Sequence, residues 1–246
     1  MENLRSLLKK SDAVRGAVFD FRKIALSARR NDRLRRIADY MGANAVRKLQ
    51  IGSGPTLKQG WLCTDIAPKS PEVMFLDATK RFPFDDGSLD YIYSEHMIEH
   101  ISWESASFML KEVFRVLKPD GFVRTATPDM QVIVDLLRQP ASPEGQRYVE
   151  WILDNHMKGV ASHLPQFAVN CIFHSWGHTF IYDEVTLRLA LERAGFVDIE
   201  RCTYGQSAHA ELNDIESHGN NVDVEEMAIF ETMIFEARRP RPNEAH

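Results

Sequence analysis

Short apolar runs that end on polar residues or glycine recur along the chain after residue 46. Four of them lie at residues 47–51, 61–64, 73–76 and 89–93. Each run has the length and composition of a buried strand, and turn residues separate one run from the next. The pattern predicts an α/β domain with a mainly parallel sheet, in which ligands gather at the carboxyl ends of the strands.

A helical periodicity follows the fourth run. Apolar residues recur at intervals of three and four positions and predict a helix over 102–117, with Ser102 as its N-cap. The sequence Lys-Pro-Asp-Gly at 118–121 is typical of a helix stop. The remaining predicted elements are a fifth strand at 122–127, helical and irregular chain at 129–178, a helix from Asp183 to Gly195, and two strands at 197–203 and 227–237.

The composition narrows the class of protein. With 246 residues, 44% hydrophobic and 26% charged, the chain fits one soluble globular domain with an appendage. It has no apolar run long enough for a membrane span and no pattern typical of a signal peptide. Three cysteines make neither a disulfide framework nor a metal motif, which favours a reducing, cytoplasmic compartment.

The net charge of −5 is unevenly distributed. Residues 1–40 carry eleven Lys and Arg against five acidic residues, so the rest of the chain is strongly acidic. An acidic body repels phosphates, which argues against nucleic acid as a partner. The basic segment is predicted to be helical. It either packs as a solvated helix or touches an anionic partner, a membrane surface or a second copy of the chain.

The strand ends indicate the kind of cofactor. Gly52 and Gly54 follow the first strand and let the backbone approach a ligand closely. Leu57 stands where a nicotinamide-dinucleotide motif needs a third glycine, and no Walker sequence is present. Asp65 and Asp77 end the next two strands and can accept hydrogen bonds from ribose and adenine, or they cap turns. A nucleoside ligand without phosphates, such as S-adenosylmethionine, suits this arrangement.

Three segments resemble class I methyltransferases of the type 11 group, which use S-adenosylmethionine. Residues 82–101 read FPFDDGSLDYIYSEHMIEHI and are similar to the signature LPFPDNSFDxVxSxxVLEHI. Residues 113–122 contain a turn that resembles the group's RVLKPGG, and residues 189–197 resemble its LLEEAGF segment. The resemblance covers about residues 46–203. It implies a Rossmann-like fold with a seven-stranded, mostly parallel sheet flanked by helices and an antiparallel last strand.

The resemblance also assigns roles to single residues. It implies that Gly52 and Gly54 lie beside the methionine part of the cofactor and that Asp65 binds the ribose. It further implies that Asp77 and Ala78 contact the adenine, and that Ser94 and Glu95 line the amino-acid end. The domain is then expected over 43–240, after a basic helical arm at 1–42 and before a tail at 241–246.

One departure from the group is the short connection at 55–60, where a full helix is usual. It resembles a subgroup reading GxGPxxxxGWxxxDI, many of whose members accompany bacterial surface-polysaccharide biosynthesis. The acceptor is accordingly expected to be a hydroxyl of a sugar or a related small metabolite, free or linked to a nucleotide or a lipid. The product from the cofactor is S-adenosylhomocysteine.

Histidine is the usual general base for methylation of a hydroxyl. His96 and His100 follow the fourth strand, whereas His174 and His178 lie in residues 129–182, the expected helical lid over the acceptor. His163, Phe167, Phe173, Trp176 and Tyr182 in the same segment indicate an aromatic pocket or a packed helical subdomain. His174 and His178 have the spacing of a metal pair, but Gly177 between them and the lack of a third ligand lead us to predict no metal.

Other functions stay open at this point. An N- or C-methyltransferase needs none of these histidines as a base, and a scaffold protein binds S-adenosylmethionine without turnover. A nicotinamide-dependent oxidoreductase that modifies sugars is disfavoured by Leu57.

Overall fold

The computed structural model describes residues 32–138, 142–157, 159–160, 162–221 and 224–244. The chain divides into two units, residues 1–45 and 46–246. In the first unit, residues 32–43 are helical, and the side chain of Asn44 donates a hydrogen bond of 2.9 Å to the carbonyl of Tyr40. The rest of the predicted basic arm lies outside the described residues.

The second unit is built on one seven-stranded sheet with the order β3-β2-β1-β4-β5-β7-β6. Strands β1 to β5 run parallel, whereas β7 is antiparallel to both β5 and β6. This arrangement confirms the predicted fold, including the antiparallel last strand. The strands are β1 Lys48–Ile51, β2 Leu62–Asp65, β3 Met74–Phe75, β4 Leu89–Glu95, β5 Leu117–Pro128, β6 Val197–Cys202 and β7 Thr232–Arg238.

The described helices agree with the predicted start and stop signals. The first has the predicted N-cap, because the Ser102 hydroxyl accepts from the amide of Ser105. The helix that follows Asp183 has a capping box and ends at Gly195 with a φ of 102°. The helices are α1 Trp103–Val116, α2 Met130–Asp135, α3 Pro143–His156, α4 Pro165–His174, α5 Glu184–Ala194, α6 His218–Asn221 and α7 Glu225–Glu231, with a 3-10 turn at Ile98–His100.

Two strand boundaries were predicted wrongly. Residues 227–231 belong to helix α7, and the last strand begins only at Thr232. The reason lies in the pairing partner: Thr232 pairs with Pro128, the final residue of β5, so an earlier start would leave the strand unpaired. The fifth strand starts at Leu117, five residues before the predicted position, because Leu117 already pairs with Leu89.

Ion pairs attach the tail to the sheet as far as residue 244. Arg238 pairs with Asp120 at 2.8 Å and with Asp198 at 2.6 Å. Arg241 pairs with the same Asp120 at 2.5 Å. The ion pairs close the end of the sheet where β5 begins.

The sheet face near β1 and β4 is covered by a segment from the C-terminal part of the chain. The connection at 55–61 contains no helix, as the sequence predicts. Residues 203–218, which join β6 to α6, lie there instead, and their fully buried Leu212 packs with Tyr93 in a cluster that includes Trp61. The long β6–β7 connection thus supplies the cover that the short β1–β2 connection lacks. We call residues 203–218 the covering segment.

The covering segment is anchored by a buried ion cluster. Arg124 on β5 is completely buried, and its Nε lies 2.6 Å from Glu216 of the segment. Its Nη1 lies 2.5 Å from Glu236 on β7 and donates to the carbonyl of Gln206 at 3.1 Å. The second carboxylate oxygen of Glu216 accepts from the amide of Gly205. One guanidinium therefore holds both ends of the segment.

Among the described residues, no helix has the length and apolar character that crossing a membrane requires.

Candidate functional site

A cavity of about 420 Å³ opens at the carboxyl ends of β1 and β4. These neighbouring strands are the point at which the strand order reverses, where open α/β sheets bind their ligands. The glycine turn after β1 forms one wall, and residues 95–100 after β4 form another. Helices α3 and α4 and the start of α6 complete it. The lining includes Gly52, Gly54, Glu95, His96, Glu99, His100, Trp151, His156, Trp176, His178, Ser217, His218 and Glu231.

The two glycines of the turn differ in what a side chain at their position would meet. Gly52 has a φ of 70°, and a Cβ there would lie 2.4 Å from Cγ of Met97. Only glycine therefore allows the chain after β4 to pack so closely on the turn. Gly54 has a φ of 54°, and no described atom lies within 4 Å of the position of its Cβ. The space above Gly54 is open, which suits the close approach of a ligand.

The predicted nucleoside-binding aspartates hold turns at the strand ends. Asp65 accepts from the amide of Gly54 at 3.0 Å and from the amide of Ala67 at 2.7 Å, so it ties the glycine turn to the end of β2. Asp77 accepts from the amide and hydroxyl of Thr79 at 2.9 and 2.6 Å. Asp65, Asp77 and the adjacent Ala78 are not among the residues that line the cavity.

Ser94 and Glu95, the two residues predicted at the amino-acid end of the cofactor, lie in different environments. Ser94 is buried within the sheet, where its hydroxyl lies 3.4 Å from that of Thr125. Glu95 lines the cavity, and its carboxylate accepts from the amides of Ser217 and His218, both at 2.8 Å. Lys58 donates to the hydroxyl of Ser217 at 3.1 Å. Glu95 therefore fixes the end of the covering segment at the cavity.

His96 occupies a strained position at the mouth of β4. Its φ is 45°, a conformation that costs free energy for a residue with a side chain and often marks a functional site. Nε2 lies 2.9 Å from the hydroxyl of Thr232, and the ring stacks on His218 at 3.7 Å. Burial, together with the neighbouring His218, holds the pKa of His96 well below its ordinary value. Burial therefore favours the neutral form of this imidazole.

A second group of titratable residues lies beside it. Glu99 is completely buried; Oε2 accepts from the hydroxyl of Thr127 at 3.0 Å, whereas Oε1 has no hydrogen-bond partner among the described residues. Burial raises the pKa of Glu99 to about 8. The rings of His100 and His178 lie 4.8 Å apart at 67° to one another, and burial lowers the pKa of both.

Glu231 is the second buried acid at the cavity. It accepts a hydrogen bond from the hydroxyl of the fully buried Tyr148 and lies 3.7 Å from Nε2 of His218. Burial raises the pKa of Glu231 to about 7. The described ion-pair contacts of both buried acids are thus with histidines: Glu231 faces His218, and Glu99 faces His96 at 3.5 Å.

The expected lid contributes an aromatic wall. Trp151 and His156 of α3 line the cavity, and Trp176 packs its edge on His156 with ring centres 5.0 Å apart. Trp176 is about half exposed, so its ring has a free surface. His178 continues the series at 5.6 Å from Trp176. Flat aromatic surfaces beside polar groups are suited to a ring-shaped acceptor.

Only some of the histidines considered as candidate bases line the cavity. His96, His100 and His178 line the same cavity, whereas His174 is exposed at the end of α4 and is not part of the lining. Trp176 and Gly177 have φ values of 55° and 81°, so the chain turns between the two lid histidines. His163 is also exposed and pairs with Asp154. The lid aromatics Phe167, Phe173 and Tyr182 lie outside the cavity lining as well.

Several site residues were not predicted from the sequence. Glu99 is part of the segment that carries the family resemblance, but its burial without a cation was not expected. His218 and Glu231 lie in the stretch between the last two strands, to which we assigned no role. The doublet Ser217-His218 carries no periodic or motif signal of its own.

Comparison with known protein families finds a match over part of the chain. Residues 55–125 match the family model described as a methyltransferase domain. No curated protein sequence matches the chain.

Three solved structures in which the chain follows a similar course are methyltransferases, each of low sequence identity to this chain. A methyltransferase dependent on S-adenosylmethionine from Archaeoglobus fulgidus has 16% identity and a TM-score of 0.47, over 84% of this chain and 91% of that one. One from Mesorhizobium loti has 15% identity and a TM-score of 0.47, over 80% and 92%. Phosphoethanolamine N-methyltransferase 2 of Haemonchus contortus, in complex with S-adenosylmethionine, has 16% identity and a TM-score of 0.42, over 80% and 49%.

The family match lies in the segment that carries β2 to β5, and the strand order and the antiparallel last strand are those expected for the type 11 group. The cofactor that belongs to this family is S-adenosylmethionine, as the sequence predicts. The chain has a Rossmann-like methyltransferase fold, and its residues 55–125 match the methyltransferase domain family.

Proposed function

We propose that the protein transfers the methyl group of S-adenosylmethionine to a hydroxyl of a sugar or a related small metabolite. The observation that carries this proposal is that the glycine turn after β1 and a wall of histidines and aromatic rings line the same cavity. A cofactor held at the turn would present its methyl group to an acceptor held at that wall.

The cofactor half of the proposal uses residues 52–54 and the ends of the next two strands. The open space above Gly54 leaves room for the methionine part, and Glu95, which lines the cavity, would face its amino-acid end. Asp65 would accept from the ribose hydroxyls with the lone pairs that its two amide contacts leave free. Asp77 and Ala78 would face the adenine, and Ser94 supports this wall from inside the sheet.

The acceptor half uses the groups across the cavity. The aromatic faces of Trp151 and Trp176 suit the apolar face of a sugar ring, whereas the histidines are suited to its hydroxyls. Alignment of the hydroxyl oxygen, the methyl carbon and the sulfur is the principal source of rate, since it replaces an encounter in solution. In the reaction a C–O bond forms, the C–S bond breaks, and the hydroxyl proton passes to a base.

His96, His100 and His178 are the candidates for that base. His96 lies closest along the chain to the end of β4, and its ring is held by Thr232 and His218. Loss of a general base lowers a rate by roughly 10²–10⁴-fold. An acceptor with a linked phosphate on a nucleotide or lipid would also be attracted by the basic residues of segment 1–40. Cytoplasmic location and dimer formation stay predictions.

Turnover against a panel of hydroxyl-bearing compounds tests the proposal. Sugars, nucleotide sugars and lipid-linked sugars are incubated with S-adenosylmethionine, release of S-adenosylhomocysteine is measured, and the methylated atom is located by NMR. His96→Ala, His100→Ala and His178→Ala are compared with His174→Ala, the exposed histidine outside the cavity. We expect the turnover of at least one cavity variant to fall by roughly 10²-fold or more, which is the size of a general-base effect. The turnover of His174→Ala should be unchanged.

Two results would contradict this function. Full activity in all three cavity variants would favour an N- or C-methyltransferase, which needs no such base. Binding of S-adenosylmethionine without turnover on any acceptor of the panel would favour a scaffold.

A further inference from the structure

Two groups of three potential metal ligands face the cavity. The first contains His96, His218 and Glu231, and the second contains Glu99, His100 and His178; in each group the ligand atoms lie within 4.8 Å of one another. Both groups have the composition of two imidazoles and one carboxylate, a set that binds divalent transition metals in proteins. The two groups differ in whether their lone pairs can converge on one ion.

The first group is poorly arranged for a shared ion. The rings of His96 and His218 are stacked almost parallel, at 12° and 3.7 Å. The lone pair of an imidazole nitrogen lies in the plane of its ring, so stacked rings direct their lone pairs along parallel lines rather than to one point. Nε2 of His96 is also engaged with Thr232 at 2.9 Å, and Glu231 is engaged with Tyr148.

The second group has the geometry that the first lacks. The rings of His100 and His178 are inclined at 67°, which allows their in-plane lone pairs to meet. Nδ1 of His178 lies 2.5 Å from the carbonyl of Ile172, so it carries the proton and leaves Nε2 as an acceptor. Histidines that bind metals commonly donate their other nitrogen to a carbonyl in this way.

Glu99 supplies the independent observation. Its side chain is completely buried, and one oxygen accepts from Thr127. The other oxygen, Oε1, lies 3.5 Å from Nδ1 of His96 and has no hydrogen-bond partner among the described residues. A buried carboxylate oxygen without a partner is costly, and a cation at that oxygen removes the cost. The backbone holds the group together, because the carbonyl of Glu99 accepts from the amide of Thr179 at 2.7 Å, next to His178.

We propose that Glu99, His100 and His178 bind a divalent transition-metal ion at the acceptor side of the cavity. Three protein ligands leave at least one position open, as in catalytic rather than structural metal sites. The proposal rests on the proposed function for its role: an acceptor hydroxyl that occupies the open position is oriented toward the methyl group, and its proton is released more readily. His96 is then left to accept that proton.

Metal binding is measured directly, without methyl transfer. Untagged wild-type protein is freed of metal and titrated calorimetrically with Zn²⁺, and Co²⁺ is added in a parallel sample to record its visible absorption. We expect one ion per chain and a Co²⁺ spectrum of low coordination number. The substitution Glu99→Gln keeps the shape of the side chain and removes its charge. Glu99→Gln and His178→Ala are each expected to weaken Zn²⁺ binding by at least about 100-fold. This is more than the loss expected when a residue that only hydrogen-bonds to a metal ligand is removed.

The controls separate this site from its alternatives. His174→Ala is expected to bind Zn²⁺ like the wild type. Loss of binding in His218→Ala with retention in His178→Ala would assign the ion to the other group and overturn the proposal, as would absence of a wild-type Zn²⁺ site. Titration of each metal-free variant with S-adenosylhomocysteine shows that it is folded. This titration also separates the two claims, since it tests the cofactor site whether or not metal binds.

Discussion

Replacement of Arg124 by methionine tests how the covering segment is held on the sheet. Arg124 is completely buried, and the two carboxylates that it pairs with are buried too, with side-chain exposures of 0% for Glu216 and 8% for Glu236. Among the described ion pairs, Arg124 is the only cation paired with either carboxylate, so Arg124→Met leaves both without a cationic partner. Breaking a buried ion pair by removing one partner costs about 3–5 kcal/mol, since the remaining charge is buried without compensation.

The expected loss is large on the scale of protein stability. A domain of this size shifts its Tm by roughly 2–4 °C per kcal/mol, so the variant should melt roughly 6–20 °C below the wild type. The free energy of unfolding is measured by urea denaturation followed by circular dichroism. The matched control is Arg147→Met, because Arg147 pairs with Glu226 at the surface, with side-chain exposures of 48% and 61%. An exposed pair of this kind contributes at most about 1 kcal/mol.

A triple variant distinguishes loss of charge from loss of packing. Arg124→Met combined with Glu216→Gln and Glu236→Gln leaves no buried charge in the cluster, so it should recover part of the lost stability. A loss below about 1 kcal/mol in Arg124→Met, equal to that in the surface control, would refute the argument that this cluster anchors the segment.

Two further substitutions probe the walls of the cavity. Gly52→Ala introduces a Cβ 2.4 Å from Cγ of Met97 at a left-handed φ, so it should cost about 1–3 kcal/mol in urea denaturation and weaken S-adenosylhomocysteine in calorimetry. Gly42→Ala is the control, because no atom of the described residues lies within 4 Å of the position of its Cβ; equal effects would contradict the packing argument. Tyr148→Phe removes the hydroxyl that donates to Glu231 and should cost about 1–3 kcal/mol; unchanged stability would show that this carboxylate has another partner.

The elements that the sequence predicts well are those with local signals. Ser102 and Asp183 cap their helices through contacts within three residues, and Gly195 ends a helix in the left-handed conformation that glycine favours. The glycine turn after β1 and the acidic residues at the next two strand ends are likewise where the alternation of runs predicts them. Local sequence signals therefore locate the strands and the glycine turn at the point where the strand order reverses.

The covering segment was not predicted, because its position depends on distant partners. Glu216 is separated from Arg124 by 92 residues, and Ser217 from Glu95 by 122. No periodicity within residues 203–218 encodes these contacts. For the same reason His218 was not expected at the site, although it stacks on His96.

The start of β7 was misjudged for a related reason. Two apolar stretches, at 227–230 and 233–235, are separated only by Glu231 and Thr232, so hydrophobicity alone does not show that the first is helical and the second a strand. The boundary is set by β5, whose ladder with β7 ends at the pair Pro128 and Thr232. As a result Glu231 lies at the end of α7 and faces the cavity instead of forming part of a strand.

The most direct test of the central claim is a calorimetric titration of the wild-type protein with S-adenosylmethionine and with S-adenosylhomocysteine. The account predicts one site per chain for each. It also predicts that Asp65→Ala weakens binding by about tenfold or more, the effect of losing a hydrogen bond to a charged group, whereas the exposed Asp85→Ala does not. A protein that binds neither compound and takes up a nicotinamide dinucleotide instead would contradict it.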